Sequence, residues 1–196
     1  MICLFLATAA AEDLPAEAVA TWQALSRSTT LQADFTQIRT SSLLTQPLTT
    51  TGTLVFQRPE KMAWTTLAPV RSTFVMDGSK VGMAYPDLDM REEIDLGGNP
   101  DVASLVTSMM VWLGGDLEKV SQDYTLTWIP GSPTRALLEP KEETLSAIIS
   151  SLELHIDATP QIVEVRITEP DGDTVHIAFS DVKTDEALAE GVFELP

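Results

Sequence analysis

Apolar and polar side chains alternate in short runs along most of this chain. Late in the sequence the alternation is strict. Leu152, Leu154 and Ile156 interleave with Glu153, His155 and Asp157; Val163, Val165 and Ile167 with Glu164, Arg166 and Thr168; Val175, Ile177 and Phe179 with His176 and Ala178. Successive side chains of a strand point to opposite faces, so each run predicts a strand that buries one face and wets the other. The same reading predicts strands over 31–40, with Ala33, Phe35 and Gln37 on one face, and over 52–57, 61–65, 71–76, 80–85, 92–96, 124–129 and 135–139. The late strands run over 148–157, 162–169 and 174–179. Turn signals stand at Arg58-Pro59, Asp77-Gly78, Thr159-Pro160 and Asp171-Gly172. The Ser/Thr-rich stretch 40–51, with Pro47, reads as a loop or ragged hairpin.

Two segments follow a helical period instead. In 14–28, Pro15 suits a first turn and Val19, Trp22 and Leu25 form a stripe. In 99–113, Asn99 can cap, Pro100 suits the first helical position, Asp101 complements the N-terminal dipole, and Gly114-Gly115 stops the helix. Val102, Leu105, Val106, Met109, Met110 and Leu113 give this second helix a broad apolar face, widened by Val111 and Trp112. The pattern predicts one curved antiparallel sheet of about ten strands with two or three helices. A sheet that large curls, and its apolar concavity has to be filled or covered. The helix over 99–113 is the predicted cover.

Charge narrows the partners. The formal net charge is −17, and residues 139–196 hold fourteen acidic against three basic side chains. Phosphate neutralisation and anionic lipid headgroups are disfavoured, which argues against nucleic acid and against a surface helix held by acidic lipid. The acidic part reads as a solvated exterior, or as a face for a basic partner. The first eleven residues, MICLFLATAAA, are too short to span a bilayer, which takes roughly 20 residues. They end in small residues and are expected to be a signal peptide, 1–11, without the usual basic start, preceding a single domain over 12–196. Cys3 is the only cysteine, so no disulfide is expected in the processed chain.

Motifs for chemistry are missing. His155 and His176 lie on polar strand faces without zinc spacing, and there is no nucleophile elbow or phosphate-binding loop. No catalytic residue, metal or cofactor is expected, although the many carboxylates leave a lipid or glycan hydrolase as an alternative. Met62, Met76, Met83, Met109 and Met110 are adaptable side chains that suit either an irregular ligand or a filled core. The segment GTLVFQRPEKMAW, 52–64, carries the oddest residue: Leu54, Phe56 and Arg58 share one face, so a cation continues an apolar row. Such a charge needs a partner, unless it simply turns outward past the strand end.

These residues carry a resemblance. Phe35-Thr36-Gln37, then Gly52, Leu54, Phe56, Arg58-Pro59, Lys61, Trp64, Pro69, Asp77-Gly78 and Tyr85-Pro86, with the closing Phe193-Glu194-Leu195-Pro196, are similar in order and spacing to the periplasmic lipoprotein carrier proteins of the LolA type. The resemblance implies an unclosed, strongly curved antiparallel β-barrel of the α+β class with a helical lid over an apolar concavity. It implies a non-enzymatic carrier in the periplasm of a Gram-negative bacterium, monomeric. Such a carrier takes acylated lipoproteins, or another lipid cargo, from an inner-membrane transporter to an outer-membrane acceptor. The expected lipid-binding cavity is Phe35, Leu54, Phe56, Met62, Trp64, Phe74, Met76, Met83, Leu154 and Ile156. The expected lid is Val102, Leu105, Val106, Met109, Met110 and Leu113, and Arg58 is the expected latch on lid carbonyls. Met62-Ala63 before Trp64 and the strong acidity depart from the family pattern and leave the cargo open. A lipid-sensing regulatory module of the same fold is the other reading.

Overall fold

The computed structural model describes residues 14–78 and 80–196, apart from the side chain of Asp101. The expected signal peptide lies outside the described residues. Chain order is α1 (Ala16–Leu25), β1 (Thr30–Thr40), β2 (Leu48–Gln57), β3 (Lys61–Ala68), β4 (Ser72–Asp77), β5 (Lys80–Tyr85), β6 (Met90–Ile94), α2 (Pro100–Gly114), α3 (Leu117–Asp123), β7 (Tyr124–Ile129), β8 (Thr134–Pro140), α4 (Glu143–Ser146), β9 (Ser151–Ile156), β10 (Ile162–Thr168) and β11 (Thr174–Thr184).

All eleven strands form one antiparallel sheet in the order β6-β5-β4-β3-β2-β1-β11-β10-β9-β8-β7. Most neighbours are hairpins. Two connections set the shape. β1 pairs with β11, joining the early and late halves, and the chain passes from edge strand β6 through α2 and α3 to the opposite edge, β7. The expected curved, unclosed sheet with helical cover is therefore the fold; the described residues form one strand more than the ten expected and four α-helices instead of two or three.

Register builds the inner face. Leu54 pairs with Trp64, Trp64 with Phe74, and Phe74 with Met83, making one apolar row across four strands. A second row runs Phe56, Met62, Met76, Val81, Ile94. Gly52 makes room for the ring of Phe35 opposite it. A Cβ there would stand 2.7 Å from that ring and 1.9 Å from the Thr65 carbonyl oxygen. The outer face of β3–β5 is also covered. The C-terminal segment lays Leu195 against Gly82, Arg91 donates to the Leu195 carbonyl at 3.1 Å, and Lys61 sits over the Phe193 ring.

Several local expectations change: the strands expected over 61–65 and 174–179 run on to Ala68 and Thr184, and the one over 92–96 lies at Met90–Ile94. The helix over 14–28 is shorter, because the chain turns at Ser26. The loop over 40–51 shrinks to 41–47, since β1 and β2 pair up to Arg39 opposite Leu48. The strand over 148–157 starts only at Ser151. Leu145 and Ile149 are buried four residues apart on a helical turn, and a short apolar run does not by itself distinguish turn from strand. α3 has a legible signal: Asp116 accepts hydrogen bonds from the backbone amides of Glu118 and Lys119 at 3.1 and 3.2 Å.

Candidate functional site

α2 roofs the concave face of the sheet. Between them lies a cavity of about 490 Å³ whose walls are mostly hydrocarbon. The sheet contributes Trp64, Phe74, Met83, Ile94, Leu152, Ile167, Val175 and Ile177; α2 contributes Val102, Leu105, Val106, Met109 and Trp112; Ile148 and Ile149 close one side. Its polar groups are Gln37, Arg39, Ser108 and Glu169. The Ser108 hydroxyl is buried and hydrogen-bonds the Tyr124 hydroxyl, pinning α2 to β7. Burial raises the Tyr124 pKa, with the Ser108 bond opposing, so the phenol stays neutral and able to donate.

Arg58 lies just past the end of β2, in the turn to β3, rather than on the strand face. Its stem still points inward. The guanidinium carbon is 5.6 Å from the centre of the Phe56 ring. Its nitrogens reach the chain ends of two helices: Nε donates to the Gly114 carbonyl at 3.0 Å, Nη2 to the Leu25 carbonyl at 2.6 Å and the Leu113 carbonyl at 3.4 Å, and Nη1 to the carbonyl and hydroxyl of Ser28. Helix ends leave such carbonyls without intrahelical partners and carry partial negative charge, which suits a cation. Burial lowers the Arg58 pKa, with Asp185 opposing; an arginine nonetheless stays charged at neutral pH.

A second cavity, about 560 Å³, opens beside Arg58. Leu25, Leu31, Ala33, Leu54, Leu113, Ile162, Phe179 and the 158–161 turn line it, with Arg27 and Asp185 at its polar side. Aromatic rings stand between the two spaces. Phe35 and Trp64 are 4.3 Å apart between centroids, and Phe179 meets Trp64 edge-on at 6.4 Å.

At the opposite end, Arg39 shares the inner face of β1 with Phe35 and Gln37. It holds Glu169 at 2.8 Å and Asp173 at 3.7 Å. The hydrogen bond with Glu169 raises the Arg39 pKa, against some desolvation. Hydrogen bonds from Ser41 and the Ser42 amide, followed by the charge of Arg39, hold Asp173 below its ordinary value.

The structure sorts the expected cavity residues. Trp64, Phe74 and Met83 line the roofed cavity and Leu54 lines the second one. Phe35, Phe56, Met62, Met76, Leu154 and Ile156 line neither. They are at most 7% exposed and fill the core beneath. Alternation identifies the inward face, but whether inward side chains meet or leave space depends on the sheet's curvature. Of the expected lid, Val102, Leu105, Val106 and Met109 face the roofed cavity, Leu113 faces the second, and Met110 packs on the core. Arg39 and Glu169 are missing from the expected site. The signal for Arg39 was its place two residues beyond Gln37 on the same face; nothing local pairs it with a carboxylate 130 positions away.

An outer-membrane lipoprotein carrier protein of Pseudomonas fluorescens Pf0-1 is 31% identical over 173 residues, 88% of this chain and 80% of that protein. The carrier protein of P. fluorescens Pf-5 is 29% identical over 192 residues, 97% of this chain and 89% of its own. A DUF1329 family protein from Desulfovibrio piger shares the fold at a TM-score of 0.55 and 13% identity, covering 90% of this chain and 94% of its own. The family model described as outer membrane lipoprotein carrier protein LolA matches residues 26–196. With that match running from the end of α1 to Pro196, the chain belongs to the LolA family of outer membrane lipoprotein carrier proteins.

Proposed function

We propose that this protein is a periplasmic carrier that shields the acyl chains of lipoproteins, or of a related acylated lipid, in the cavity beneath α2. In this reading α2 is a lid and Arg58 its latch. The observation that carries it is the bonding of Arg58 to the Leu113 and Gly114 carbonyls at the end of the helix that roofs an apolar cavity. Membership of a carrier family, rather than an enzyme family, supports it.

The physical logic is one of exchange. Each buried methylene is worth about 0.8 kcal/mol relative to water, so acyl chains do not cross an aqueous gap alone. Cargo that comes from one apolar site and leaves for another needs a net exchange near zero. A lid that has to be opened lowers apparent affinity by the fraction of open molecules, which helps release toward an outer-membrane acceptor. Arg58 suits this role because its partners are neutral carbonyls, which water can satisfy when the bonds break.

The test is uptake of a fluorescent fatty acid by the purified protein, beside mass spectrometry of lipids that co-purify from periplasm. Arg58→Leu is expected to raise apparent affinity about tenfold, the ratio expected if closed molecules outnumber open ones by that factor, and to slow release. A wild-type protein that takes up no probe and carries no acyl species overturns the reading; an Arg58→Leu variant that binds and releases at wild-type rates overturns the latch.

A further inference from the structure

Exposed large apolar side chains gather at one end of this barrel. Leu43, Leu44 and Leu48 flank the β1–β2 turn, Leu67 and Val70 the β3–β4 turn, and Leu88 and Met90 the β5–β6 turn. Alternate hairpins of an antiparallel sheet end on the same side, so the three tips share one rim. Leu43 is 90% exposed, and Leu67, Val70, Leu88 and Met90 are each more than half exposed. The first tip is also braced. Leu44 donates to the Ser41 carbonyl at 3.1 Å and the Ser42 amide to Asp173 at 3.0 Å, so the turn presents Leu43 outward from a fixed base. This is the Arg39 end, where Arg39 and Glu169 line the roofed cavity.

We propose that these tips form a membrane-contacting rim that seats this end of the barrel on an uncharged lipid bilayer. Charge placement selects that occupant. In a chain of net charge −17, no charged residue occurs between Arg39 and Arg58, or between Lys61 and Arg71. Arg71, beside the second tip, is matched by Asp87 of the third at 3.7 Å. The first two tips thus carry no charge but Arg71, while the third holds Asp87 and Asp89 and the 169–173 turn beside the first is acidic, which favours zwitterionic over anionic lipid. Its shape points the same way. Separate projecting tips enter a fluid apolar phase without needing a complementary rigid surface, and the affinity grows with the apolar area they bury. Among the described residues no helix is long and apolar enough to cross a membrane, so the contact is interfacial.

The experiment is flotation of the full, cargo-free chain with phosphatidylcholine vesicles. The wild type is expected to float, less so when phosphatidylglycerol is added. Leu43→Asp combined with Leu44→Asp is expected to cut partitioning about tenfold or more, since each leucine loses its transfer into hydrocarbon. Wild-type melting temperature and fatty-acid uptake by this variant show that fold and cavity are intact, so the carrier reading and the rim are judged separately. A wild type that stays unbound at every lipid concentration overturns the proposal, as does a variant that floats like the wild type. Self-association abolished by the same substitutions, without vesicle binding, also overturns it and assigns the rim to a second copy of the chain.

Discussion

The barrel carries an inward arginine at each end, and the two are held by opposite kinds of partner. Arg58 is bonded to backbone carbonyls at the ends of two helices and to Ser28 just beyond α1, and burial lowers its pKa. Arg39 is bonded to two carboxylates, and its pKa is raised. Neutral partners can exchange a guanidinium for water at modest cost. Carboxylates exchange less readily, because Asp173 is only 5% exposed and without Arg39 would keep its charge on the bonds from Ser41 and Ser42 alone. In the proposed reading the Arg39 end is a structural clasp, and the Arg58 end is the one that lets go. The polar contact between Ser108 and Tyr124 ties the middle of α2 to β7.

The strongest way to break this comparison is to remove what separates the ends. Gly52→Ala places a methyl against the Thr65 carbonyl and the Phe35 ring, so β2 and β3 have to part and the aromatic wall has to shift. The expected loss is about 4 kcal/mol or more, as for other severe steric clashes, measured by urea unfolding. A loss below about 1 kcal/mol, the ordinary effect of a substitution, means the wall yields and the two cavities already communicate.

A smaller effect compares the arginines directly. Arg39→Met strands Glu169 and Asp173, and since Arg39 is partly exposed the expected loss is about 1–2 kcal/mol. Arg58→Met is expected to lower global stability by about 1 kcal/mol, the scale of net hydrogen-bond effects, while increasing amide exchange through the last turn of α2. If Arg39→Met rather than Arg58→Met frees α2, the assignment of clasp and latch is reversed.

Acid is the mildest probe. A depressed carboxylate adds stability above its unfolded pKa, near 3.9 for aspartate, and that contribution is lost as pH falls through the lower folded value. Asp173 is depressed, so acidification below about pH 4 is expected to loosen the 41–47 and 169–173 turns first. The carbonyl partners of Arg58 do not titrate. Protection of the Ser42 amide, corrected for intrinsic exchange, is expected to fall before that of Gly115. Simultaneous loss at both ends would show that the clasp is not local.

Much of the fold was legible because a strand with one wet face writes its period into the chain. The late strands, the hairpin turns and the capped helix over 99–113 all follow from local pattern. The 145–149 stretch was not legible, because five apolar-rich residues fit a helical turn as well as a strand. Arg58 stood out as a charge in an apolar row, but its partners Leu25, Ser28, Leu113 and Gly114 offer only backbone or a single hydroxyl, and backbone carbonyls have no sequence signature. Arg39 did not stand out, since an arginine at a strand end is ordinary until a distant carboxylate turns up beside it.

The sequence by itself determined the strand faces, the apolar roofing helix, the odd arginine and the family, since each rests on near neighbours or on ordered motifs. Only the tertiary structure decided which inward side chains fill the core and which leave space, because curvature and the β1–β11 pairing bring Phe35, Trp64 and Phe179 together from separate parts of the chain. It also decided that the two arginines are held by different kinds of partner. Their bonding partners come from residues remote in sequence, and the choice between carbonyl and carboxylate is made by where the curved sheet places them.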